Sequence, residues 1–252
     1  MPHIHKIVFA SLTLVVLALS SITTARADEL IINGGFETGN FTGWTTTVRP
    51  ASFGNLFVRS GTTTPLSGIS TVGPASGTFY ALTDQTGPGT YALIQPFTVA
   101  GSASSVVLTF DMFVNNYANT IVNPIGLDHT AGANQHARVD ILSASASPFD
   151  TGAGVLRNLF LGATPGINPH PYIRYTFDIT SLVGAGGTFQ LRFAEVDNQG
   201  FFNLGVDNVS INATFGTTPI PEPTTMILLG TGLAGIAAKV RRGRKHANTK
   251  DA

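Results

Sequence analysis

The sequence predicts an all-β chain: a two-sheet sandwich of jelly-roll type over residues 28–215, flanked by an N-terminal signal peptide and a C-terminal single transmembrane helix. Three observations predict it. Apolar and polar residues alternate with a period of two through several short stretches, the pattern of a strand with one wet face. Glycine-rich breaks separate these stretches at Gly87-Pro88-Gly89, Gly152-Ala153-Gly154 and Gly184-Ala185-Gly186-Gly187. No part of the domain keeps a helical period for three turns.

In chain order, His3, His5 and Lys6 precede an apolar stretch, Ile7 to Leu19, and Ala25-Arg26-Ala27 supplies a small-x-small cleavage pattern. Residues 1–27 therefore read as a secretory signal peptide, with the mature chain starting at Asp28. Strands are expected at Leu30–Ile32, Phe53–Val58, Thr78–Leu82 and Ala92–Val99. Val106, Leu108, Phe110, Met112 and Val114 mark one face of a central strand, and Val139 and Ile141 alternate with Arg138 and Asp140. Further strands are expected at Val155–Phe160, Ile173–Ile179, Phe189–Phe193 and Val206–Ile211. Residues 216–223 form a proline-rich hinge, which cannot continue a strand because proline fixes φ and removes a donor. Residues 224–240 carry no charge until Lys239. As a helix these roughly 17 residues span about 26 Å, slightly short of a ~30 Å hydrocarbon core, a gap that a snorkelling lysine can close. The basic tail, 241–252, with Arg241, Arg242, Arg244 and Lys245, is expected to stay cytoplasmic.

The formal neutrality of the 252-residue chain conceals a split. Between Asp28 and Phe215 the only cationic side chains besides histidine are Arg49, Arg59, Arg138, Arg157, Arg174 and Arg192, against twelve carboxylates. An acidic domain of this kind excludes nucleic acid as a partner. The chain has no cysteine, so stability comes from packing rather than disulfides.

The order of Pro221-Glu222-Pro223, apolar helix and arginine-rich end resembles the PEP-CTERM sorting signal of bacteria that elaborate exopolysaccharide. The resemblance covers about the last thirty residues. It implies recognition and cleavage near Pro221-Glu222-Pro223 by an exosortase-type membrane protease. The chain would be exported, anchored transiently in the inner membrane by its C-terminal helix, then passed to the cell surface or extracellular matrix. Gly230-Thr231-Gly232-Leu233-Ala234-Gly235 matches the dinucleotide pattern G-x-G-x-x-G, but a proline hinge precedes it and no βαβ unit follows. These glycines read as small residues of a membrane helix.

Three segments of the domain carry a second resemblance: Leu30-Ile31-Ile32-Asn33-Gly34-Gly35-Phe36-Glu37 running on to Gly43-Trp44, Ala92-Leu93-Ile94-Gln95-Pro96-Phe97, and Gly205-Val206-Asp207-Asn208-Val209-Ser210-Ile211. They are similar to the galactose-binding-like jelly rolls of carbohydrate-binding modules. That resemblance implies a structural Ca²⁺ held by the Glu37 and Asp207 carboxylates, a backbone carbonyl near Gly35, and Asp84. Otherwise Glu37 is solvated or ion-paired and Asp207 shapes a turn. Sugar binding needs aromatic platforms beside polar groups. Trp44, the single tryptophan, is one candidate, with core packing as its other reading. Tyr117, in the polar loop Asn115-Asn116-Tyr117-Ala118-Asn119, is the second.

Catalysis finds little support in the sequence. His129, His136 and His170 match no metal-ligand spacing and are expected to be exposed on loops, and no serine sits in a G-x-S-x-G elbow. Two of Asp111, Asp128, Asp140 and Glu195 could meet as a hydrolytic pair, although no spacing singles them out. The sequence therefore predicts a non-enzymatic structural or adhesive protein of the envelope or exopolysaccharide matrix, with glycan binding as the alternative and polysaccharide hydrolysis third.

Overall fold

A computed structural model of the chain describes residues 26–164, 166–216, 230–239 and 241. Its strands are β1 (Arg26–Glu29), β2 (Thr45–Val48), β3 (Gly54–Arg59), β4 (Tyr80–Gln85), β5 (Gly89–Val99), β6 (Ala103–Asn116), β7 (His136–Ser143), β8 (Val155–Gly162), β9 (Ile173–Asp178), β10 (Gly187–Asp197) and β11 (Phe202–Phe215). A one-turn helix, α1 (Thr180–Val183), follows β9. The strands form two antiparallel sheets, one ordered β3-β4-β11-β6-β9 with β1 also paired to β11, the other ordered β2-β5-β10-β7-β8.

The alternating pattern of β6 explains the layer between the sheets. Val106, Leu108, Phe110, Met112 and Val114 are all buried, facing Leu93 and Phe97 of β5, Val139 and Ile141 of β7, and Leu191 and Phe193 of β10. Phe110 stacks on Tyr175 of β9 with ring centres 5.1 Å apart and meets Phe193 edge-on at 5.0 Å. Burial of this much aromatic and branched surface is the dominant favourable term in the fold.

Two expectations need correction. The strand anticipated at Leu30–Ile32 lies earlier, as β1, because the Glu29 carboxylate accepts from the Ile31 and Ile211 amides and ends the pairing there. The polar face of β7 is not wet. Arg138 and Asp140 are buried because the loops after β6 and β7 fold over the outer face of that sheet, where Leu127 and Phe149 pack on Ala92, Ile94, Ala194 and Val196.

Register fixes the poles of the sandwich. Phe202 pairs with Asn116 at one end and Phe215 with Ala103 at the other, and Arg26 lies beside Phe215. At ~3.3 Å per residue the two poles stand roughly 45 Å apart. Both chain ends of the sandwich leave from one pole, while the loop after β6 and the β10–β11 connection lie at the opposite, distal pole.

Residues 26–216 form one compact unit. The expected signal-peptide boundary after Ala27 falls inside β1; residues 1–25 lie outside the described residues, as do Pro221-Glu222-Pro223, Arg242, Arg244 and Lys245. Of the expected membrane helix, residues 230–239 are described and are helical and exposed, as is Arg241. Among the described residues no helix is long and apolar enough to cross a membrane. The G-x-G-x-x-G pattern lies within the described helical residues 230–239.

Candidate functional site

Tyr117 stands where β6 ends at the distal pole. Its amide donates to the Phe201 carbonyl (3.0 Å), tying the loop after β6 to the β10–β11 connection. Asn116 and Asn168 clamp one another: the Asn168 side-chain amide donates to the Asn116 carbonyl (2.7 Å), and its oxygen accepts from the Asn116 amide (3.2 Å). The Asn116 side-chain oxygen also accepts from Gln135 (2.7 Å) and from the Ala118 amide (3.0 Å). These bonds set out an open recess of about 570 Å³ lined by Asn116, Tyr117, Ala118, Asn119, Gly166, Ile167 and Asn168. Tyr117 is 43% exposed and Ile167 92%, with the exposed Phe201 on the adjoining connection. An accessible phenol ring and an apolar neighbour, with Asn119 beside them, suit the faces and hydroxyls of a neutral sugar.

Trp44 is corrected as a platform. It is 7% exposed, its ring lies 5.5 Å from Phe36 and 6.1 Å from Phe193, and its Nε1 donates to the Asn33 carbonyl. A side chain on Gly35 would touch Glu37 at its Cγ and an oxygen of the Asp207 carboxylate. One loop bridges the two carboxylates. Ala75 and Ser76 donate their amides to Asp207 (2.8 and 3.1 Å), while Thr78 and Phe79 donate theirs to Glu37 (3.0 and 3.1 Å). Burial still pushes Asp207 up to about 6, against the hydrogen bonds from Ser76, Asn208 and Ala75. The expected contribution of Asp84 is corrected too: it lies against Asn203, four residues along β11 from Asp207, and its carboxylate accepts from the Leu66 and Ser67 amides and the Ser67 hydroxyl.

Three of the four acids weighed for hydrolysis have ion-pair partners, and among the described residues Glu195 has none. Asp111 pairs with Arg174, Asp128 with Arg49, and Asp140 with both Arg138 and Arg192. For Asp140 burial acts upward, but the hydrogen bond from Arg138 and the charges of Arg192 and Arg138 outweigh it and hold the carboxyl below its usual value. The three loop histidines are buried, contrary to expectation. His129 bridges Thr90 and the Ala51 carbonyl, and His136 lies on β7, where burial lowers it to about 4. Among the described residues no three histidine, aspartate or glutamate side chains converge as a metal-binding group.

Sequence reasoning reached Tyr117 and missed Ile167, Asn168 and Phe201. The loops carrying them are separated by tens of residues, and only the Asn116–Asn168 clamp and the Tyr117–Phe201 bond bring them to one place.

Residues 219–242 match the PEP-CTERM protein-sorting motif. No curated protein matches the chain in sequence. Among solved structures it is similar to TmCBM61 in complex with β-1,4-galactotriose (12% identity, 75% of this chain and 99% of that one, TM-score 0.45). It is also similar to the K2 cleaved adhesin domain of Lys-gingipain (16%, 75% and 98%, TM-score 0.42) and to the non-crystalline cellulose specific carbohydrate-binding module CBM28 (12%, 73% and 94%, TM-score 0.42). The two-sheet fold of this chain stands on its own strand pairing, independently of these likenesses.

Proposed function

We propose that this chain is a surface-sorted, non-catalytic adhesive protein whose sandwich binds an extracellular glycan at its distal pole. The C-terminal PEP-CTERM motif marks it for export and exosortase processing. The observation that carries the binding role is the exposed Tyr117 ring in a recess beside Ile167, with the Asn116, Asn119 and Asn168 side chains around it. The domain is acidic, which favours a neutral polysaccharide over an anionic one. Tyr117→Ala is expected to weaken binding to exopolysaccharide from the producing cell by roughly tenfold, the value of a lost stacking contact of about 1.4 kcal/mol. Trp44→Ala instead destabilises the fold by about 3–5 kcal/mol. Equal polysaccharide retention by wild type and Tyr117→Ala would reduce the role to a purely structural one.

We also propose that Glu37 and Asp207 hold a structural Ca²⁺. The donor chemistry fits, because both groups offer only oxygen, they flank one glycine, and Asp207 retains a raised proton affinity that a cation would relieve. Glu37→Gln is expected to lower the melting midpoint in calcium and to shrink the further drop on adding chelator. An identical chelator response in both proteins would remove this site.

A further inference from the structure

Glu195 and Asp197 follow Leu191 and Phe193 along the inward face of β10, where the pattern would otherwise continue with core residues. Both are buried. Tyr91, the register partner of Glu195 on β5, lies over Gly89, whose place a side chain could take only by overlapping the phenol oxygen. Gln85 of β4 reaches Asp197 from the other sheet. Thr83 donates to one Glu195 oxygen (2.7 Å), and the Gln85 side-chain amide donates to the Phe202 carbonyl. Four buried oxygens remain without a hydrogen-bond partner: Gln85 Oε1, Tyr91 Oη, Glu195 Oε1 and Asp197 Oδ1.

Among the described residues nothing cationic joins these groups. Arg192, three residues before Glu195, gives its guanidinium to Asp140. Two buried carboxyls with so few donors are costly as anions, and the site gains from any positive partner. Burial and the charge of Asp197 raise Glu195, and burial pushes Asp197 up to about 8, over the hydrogen bonds from Gln85 and the Gly89 amide. A cavity of about 280 Å³, bounded by Gln85, Pro88, Asp197, Gln199 and Phe201, opens onto Gln85 and Asp197 from the distal pole and supplies an entry path.

We propose that this layer binds a calcium ion, separate from the Glu37–Asp207 pair, through the carboxylates of Glu195 and Asp197, the amide oxygen of Gln85 and the hydroxyl of Tyr91. The donors are all oxygen, two carboxylates match a divalent charge, and water from the cavity completes the shell of six to eight that calcium takes. The ion would tie the connection before β5 to the one after β10, the two segments that wall the cavity.

The test uses the full chain, stripped with chelator and titrated with CaCl₂ and with Tb³⁺, whose emission rises near an excited phenol. Wild type is expected to bind one more equivalent of calcium than Asp197→Asn, and calcium should displace the bound Tb³⁺. Asp197→Asn and Tyr91→Phe should lose roughly tenfold or more in affinity at this site, while Glu37→Gln keeps it. An unchanged calcium count in a folded Asp197→Asn would overturn the proposal. So would a wild type in which this layer takes up a shared proton and no metal, seen as a calcium count that Glu37→Gln alone reduces to zero. Should Asp197→Asn fail to fold, Glu195→Gln and Tyr91→Phe carry the same readouts.

Discussion

At the scale of single residues, burial without a partner decides chemistry. Asp197 is raised to about 8 and Asp207 to about 6 from 3.8, so between the unfolded and folded values each holds a proton that the unfolded chain has already released. For such groups the contribution to stability is complete below the unfolded value and is lost as pH rises through the folded one. Asp128, Asp140 and Asp178 are lowered and act in the opposite sense, losing their contribution as pH falls. Comparing Asp197→Asn with wild type in chelator reports on the Asp197–Glu195 pair, because the Asp197 charge also raises Glu195. The variant is expected to gain on wild type as pH rises from about 5 to about 8, by on the order of 4 kcal/mol, read from urea midpoints. Parallel profiles would mean that Asp197 does not change protonation on folding.

At the scale of elements, much of the sandwich was legible. Period-two alternation located β6, β7, β9 and β10, since a strand with one packed face writes that pattern directly. It was silent about what lies over the other face. The Arg138–Asp140–Arg192 cluster looks like a solvated surface in sequence. It is buried because the loop after β7 brings the Pro148 and Asp150 carbonyls onto Arg192 (2.8 and 2.7 Å). Tyr117 was legible as a ring in a polar loop, whereas the Glu195–Asp197 layer was not, because two acids spaced by two on a strand also describe a wet face. Asp140→Ala leaves two guanidinium groups, one fully buried, without a counter-charge. It should cost about 3–5 kcal/mol by equilibrium unfolding. A loss below about 1 kcal/mol, the range of exposed pairs, would place the cluster in contact with solvent.

At the scale of the whole molecule, sorting and binding are written in different parts of the chain. The PEP-CTERM motif at 219–242 carries the address, and residues 26–216 carry the sandwich. Replacing Pro221-Glu222-Pro223 with alanines is expected to leave a longer, membrane-held product, read as the intact mass of protein isolated from its host. A product of unchanged mass and location would count against processing there. The antiparallel match of Arg26 with Phe215 has a consequence of its own. Because the opening and closing strands share an edge, any tag, leash or scissile bond added at either terminus departs from the same corner, some 45 Å from Tyr117 by strand length. Trimming at that corner leaves the rim that carries Tyr117 untouched, so cleavage at the ends and binding at the proposed recess would not obstruct one another.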